Sequence, residues 1–175
     1  MLAAGWPARV VLVLLAIVVA GAAVGIAWRF VAPLPQFRVL GGQLASTQTE
    51  GETAVAADAW FGMCALVAGA VTAVVVFALV RAARIDVFLA LTLGSLAAAV
   101  VAWRVGLVFS PGPLPAHPSA LADGARIEGP LRMSAKGVLF AWPLAAVGVY
   151  FALGAGLDRS EPVRTHDQWG PVSPP

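Results

Sequence analysis

The chain has 175 residues, of which 60% are hydrophobic and only 11% charged, where soluble domains carry about 25% charged residues. That balance excludes an ordinary soluble domain and a disordered chain, and a single cysteine excludes a disulfide framework or a cysteine-based zinc site. Eleven basic and nine acidic residues leave a net charge of +2, so the pI of 9.3 reflects scarce charge and not a basic face for nucleic acid.

An integral membrane protein remains. Crossing a hydrocarbon core of about 30 Å takes roughly 20 apolar residues as a helix. Four stretches have that length: about Val10 to Ala32, Ala59 to Val80, Ile85 to Phe109 and Val138 to Leu157. None alternates with period two, so helices fit and a barrel does not. The expected fold class is therefore an all-α membrane protein with four transmembrane helices. The first stretch follows Arg9 and contains Ala20-Gly21-Ala22, which resembles a cleavage site. Its apolar run continues to Phe30, beyond a signal core of roughly 7 to 15 residues, so it is expected to stay as an anchor.

With the N-terminus inside, five basic residues (Arg9, Arg81, Arg84, Arg159 and Arg164) lie inside and six (Arg29, Arg38, Arg104, Arg126, Arg132 and Lys136) outside. That count is indecisive. The shortest connection, Arg81-Ala82-Ala83-Arg84, is basic at both ends, and short loops obey the positive-inside rule best. Both termini are expected in the cytoplasm of a plasma-membrane protein, with long outer loops over about 33–58 and 110–137.

The chain carries a trace of duplication. Ala27-Trp28-Arg29 and Ala102-Trp103-Arg104 lie late in the first and third stretches, and each is followed by a proline-containing exit. Two helix-loop-helix repeats follow, about 10–80 and 85–157, making a four-helix domain over 1–157. Each unit has an even number of spans, so the copies would enter the membrane in the same sense, unlike inverted-repeat transporters.

Small residues mark expected helix-packing faces: Gly21 and Gly25 in the first helix, Gly94, Ala98, Ala102 and Gly106 in the third, and Gly148, Ala152 and Gly156 in the fourth. They suit packing within the bundle, onto another membrane protein, or between copies of this chain. In the first outer loop, Gly41-Gly42 between Phe37-Arg38-Val39-Leu40 and Gln43-Leu44-Ala45-Ser46 predicts a two-residue hairpin. Asp123-Gly124 gives a weaker hairpin signal in the second loop, and the two are expected to pair into a small sheet. Residues 158–175 are polar and proline-rich and predict a disordered cytoplasmic tail.

No phosphate-binding, metalloprotease or nucleophile-elbow motif occurs, so no catalytic residue, metal ligand or cofactor is assigned. His117 and His166 fall on opposite faces under this topology, and Cys64 is expected to be an inert thiol within a span. The arginine pair is the sharpest feature. Arg29 and Arg104 each lie 19 residues into their stretch, about 28 Å along the helix. One reading has both snorkel to the headgroups beside Trp28 and Trp103. The other turns them inward as an anion or salt-bridge cluster with Asp58, whose counterpart in the second unit is Lys136.

Several segments carry a family resemblance: Pro33-Leu34-Pro35-Gln36-Phe37-Arg38-Val39, Ala56-Ala57-Asp58-Ala59-Trp60-Phe61, Ala102-Trp103-Arg104-Val105-Gly106, Pro130-Leu131-Arg132, and Val138-Leu139-Phe140-Ala141-Trp142-Pro143. From Val10 to Leu157 the chain resembles a group of small four-span membrane proteins of actinobacteria. The resemblance implies a location and a topology and supplies no catalytic residue, since the family has no assigned activity. The expected function is a non-enzymatic accessory or scaffold subunit of the cell envelope, with the lipid bilayer and another membrane protein as partners. The alternative is a small transporter or lipid- or anion-binding protein using Arg29, Arg104 and Asp58.

Overall fold

A computed structural model describes residues 5–47, 50–79 and 85–158, and within these the side chains of all but 5–14, 50, 86, 157 and 158. The basic connection 81–84 and the tail 159–175 lie outside the described residues. Four helices dominate: α1 (Gly5–Val31), α2 (Glu50–Leu79), α3 (Ile85–Val108) and α4 (Ala141–Asp158). By length and apolar composition, α2, α3 and α4 with its lead-in can cross a membrane, and the described side chains of α1 add an apolar run over Leu15–Val31.

Two boundaries differ from the sequence reading. α2 begins at Glu50, so the polar stretch that reads as loop up to Asp58 is instead its first turns. Glu50 and Glu52 explain this, because acidic residues favour the positive end of a helix dipole. α4 is preceded by a 3₁₀ segment, Lys136–Phe140, and carries Pro143 in its first turn, where the missing N–H costs nothing.

The helices associate as two parallel seams. Along the α1–α3 seam, Gly94 lies against Ile17, Gly21 against the carbonyl of Ala98 and the Val101 side chain, Gly25 against the Ala102 backbone, and Gly106 against the Trp28 indole. The contacts advance by about one turn on both helices, so α1 and α3 run the same way in step. Along the α2–α4 seam, Gly62 meets Val138, Gly69 meets Trp142 and Ala145, and Phe77 meets Tyr150 at a ring separation of 5.7 Å. Phe88 and Phe151, 6.0 Å apart, join the start of α3 to the end of α4.

Where hydrocarbon solvates the helices, association depends on close van der Waals contact, and small residues allow it. The core is accordingly rich in alanine around four large buried side chains, Trp28, Val39, Phe61 and Trp142. The outward faces are apolar: Leu66, Val67, Val71, Val74 and Val75 form one exposed row on α2. A continuous greasy surface of this kind suits lipid and not water.

The stripe predicted on α4 does not serve packing within the chain. Gly148 and Gly156 have open space where a Cβ would stand, and both are exposed with Ala152. The glycine that brings α4 close to a neighbour is Gly69, on α2. Spacing on α4 alone cannot show this, since the face that packs is chosen by where Trp142, Ala146 and Tyr150 must be buried.

Both connecting loops sit at one end of the bundle and form a three-stranded antiparallel sheet of order β2-β1-β3, from β1 (Gln36–Leu40), β2 (Gln43–Ser46) and β3 (Arg126–Glu128). Gly41 and Gly42 have φ of 57° and 76°, the two positive angles of the predicted two-residue turn. The second hairpin does not form. Residues before Asp123 make no strand, and β3 pairs with β1 instead, Phe37 opposite Ile127. Asp123 serves the first hairpin, its carboxylate accepting from the Gly41 N–H at 2.9 Å.

Candidate functional site

The loop end of the bundle collects nearly all the described polar chemistry. Asp58, two turns into α2, is buried. Its Oδ1 and Oδ2 accept from the Ser134 N–H at 3.1 and 3.2 Å, and Oδ2 accepts from the Ala135 N–H at 2.7 Å. Ala135 caps the 3₁₀ segment that leads into α4, so these are N–H groups at a helix start, where orphan donors and the positive dipole end favour an anion. Asp58 thus acts as a capping carboxylate supplied from another helix.

Trp28 lies at the opposite side of the same α2 turns. It is fully buried, donates from Nε1 to the Ala57 carbonyl at 2.8 Å, and meets Phe61 edge-on with centroids 5.0 Å apart. The sequence reading of Trp28 as an interfacial anchor is therefore corrected. Gly106 leaves no room beside it for anything but the indole, so Trp28 is drawn into the core. Its counterpart Trp103 is only half-buried, and its Nε1 is enclosed without an acceptor.

The arginines are not gathered around Asp58. Arg29 donates from Nε to the Phe109 carbonyl at 3.0 Å, just past the end of α3. A cation there meets unpaired carbonyls and the negative dipole end. Arg104 is exposed, its guanidinium 4.9 Å from the centre of its neighbour Trp103, within cation–π range. Lys136 is exposed at the start of the 3₁₀ segment. Among the described residues no ion pair links any of the four: Asp58 caps the 3₁₀ segment, Arg29 binds the carbonyl just past α3, Arg104 lies on Trp103, and Lys136 is exposed.

A cavity of about 310 Å³ opens between the sheet and the first turns of α2. Its walls include Pro33, Pro35, Phe37 and Leu131, and the polar residues among them are Thr53, Arg132 and Ser134. Nothing in the sequence marked it, because the lining comes from four separated segments. The bond between Ser134 and Asp58 holds one wall, and a bond from the Leu131 N–H to the Ser110 hydroxyl at 2.6 Å holds another. His117 is exposed at the rim of the cap, and Cys64 is half-buried on α2.

Compared with known proteins, the chain matches no family profile, no curated protein and no solved structure.

Proposed function

We propose that the chain crosses a plasma membrane four times as two diverged helix-loop-helix units, with both termini in the cytoplasm. In this reading it serves the cell envelope as a non-enzymatic accessory or scaffold subunit and presents the capped end outside. The observation that carries the proposal is the pair of in-step parallel seams. α1 lies on α3 and α2 on α4, as equivalent helices of two same-sense copies would, and both seams are closed by backbone-close glycines and aromatic rings. Closed seams under a polar cap favour a structural partner over a carrier of solutes. Kinship with small four-span actinobacterial proteins is part of the same proposal. The alternative built on Arg29, Arg104 and Asp58 has less support, since Arg29 and Asp58 bond to backbone groups and Arg104 lies on Trp103.

The test has two arms. In a Cys64→Ala background, Ser119→Cys on the exposed cap should react with a membrane-impermeant maleimide in intact cells, and both terminal reporters should be cytoplasmic. Extraction in mild detergent followed by native mass measurement should give a stoichiometric complex with a second membrane protein. A monomer that moves a solute across liposomes refutes the scaffold reading.

A further inference from the structure

We propose that the cavity beneath the sheet holds the anionic headgroup of a membrane phospholipid, with Arg132 as the charge contact. The argument begins with depth. Trp60 is exposed on α2, an amphipathic aromatic side chain of the sort that settles at the interface. Thr53 and Ala57 line the cavity seven and three residues before Trp60, which is about 10 and 4.5 Å further along the helix axis. The headgroup layer on each side of a bilayer is about 5 to 8 Å deep. The cavity therefore stands at the level of lipid phosphates, one step outside the hydrocarbon.

Its chemistry matches that level. Apolar walls with a few polar atoms, and a volume of about 310 Å³, suit a small amphiphilic group. Pro33, Pro35 and Pro130 have fixed φ angles, so these walls are formed before any ligand arrives. Arg132 is the charged side chain among the lining residues. It forms no hydrogen bond or ion pair with any described group, whereas Arg29 and Arg38 donate to carbonyls and Arg104 lies on Trp103. Asp58, bonded to the cavity residue Ser134, accepts from two backbone N–H groups and forms no ion pair with Arg132. A free guanidinium in a lining that also holds Ser134 and apolar side chains selects a phosphate that carries an apolar neighbour.

The inference rests on the membrane reading above but not on orientation. A nanodisc has the same headgroups on both faces, so binding there is indifferent to which side the cap occupies, and the maleimide experiment reports topology separately. The full-length protein in phosphatidylcholine nanodiscs is titrated with short-chain phosphatidylglycerol, short-chain phosphatidylcholine or inorganic phosphate, with binding read by native mass spectrometry and thermal shift. Phosphatidylglycerol should bind at least about tenfold more tightly than the other two, the scale of one charge-assisted hydrogen bond. Arg132→Gln should remove that preference, Ala54→Phe should block the site sterically, and Arg126→Gln, on the exposed side of β3, should change nothing. Arg132 is exposed, so its variant keeps the fold and decides the matter even where Ala54→Phe does not. Equal binding of the two lipids, equal binding of free phosphate, or an equal loss in Arg126→Gln overturns the proposal.

Discussion

α1 and α4 both carry small residues at four-residue intervals, yet the two stripes have opposite fates. Gly21 and Gly25 are buried against the backbone of α3, while Gly148 and Gly156 face outward with nothing beside them. A small-residue stripe permits close approach, and the bulk on the other faces decides whether the permission is used. On α1, Trp28 must reach Ala57 and Phe61, and that turns the glycine face onto α3. On α4, Trp142 and Tyr150 are the buried groups, and they turn the glycines away.

Substitutions can break that comparison. Gly25→Leu should have the largest effect, since a Cβ there collides with the Ala102 carbonyl and the seam must part. A loss above about 3 kcal/mol, or failure to accumulate in membranes, is expected from overpacking a backbone contact. Trp28→Ala removes the central side chain and should cost about 3 to 5 kcal/mol. Asp58→Ala removes the acceptor of the Ser134 and Ala135 N–H groups and should cost about 0.5 to 2 kcal/mol, as the loss of a helix cap does. Gly148→Leu should change the melting of the detergent-solubilised monomer by less than about 0.5 kcal/mol, as at an ordinary surface site. Unfolding in mixed micelles of each variant gives the ranking, and a Gly148→Leu loss as large as that of Gly25→Leu erases the distinction between the stripes.

The helices and the first hairpin were legible because their signals are local: unbroken apolar length for α1 to α4, and Gly41-Gly42 for the turn between β1 and β2. The pairing of the two loops into one sheet was also legible in outline. The roles of individual polar residues were not. Asp58 reads as a charge near two arginines in sequence, but its depth in α2 places it against the start of α4, where backbone donors outcompete side chains. Trp28 and Trp103 sit in identical tripeptides, and only the neighbours distinguish them, Gly106 making room for one indole and no acceptor meeting the other. The cavity is beyond sequence reading of any kind, because its walls are far apart along the chain.

The sheet has a consequence for how the protein is made. β1 is its central strand, and β3, which completes it, begins at Arg126, 87 positions after Val39. At about 5 to 20 residues per second, a ribosome needs roughly 4 to 17 s to synthesise that interval. During those seconds the newborn hairpin is a two-stranded ribbon with an open flank, a form with little stability of its own. Closure of the cap is therefore a late event, timed by emergence of the second half, and the first half must wait in an unfinished shape.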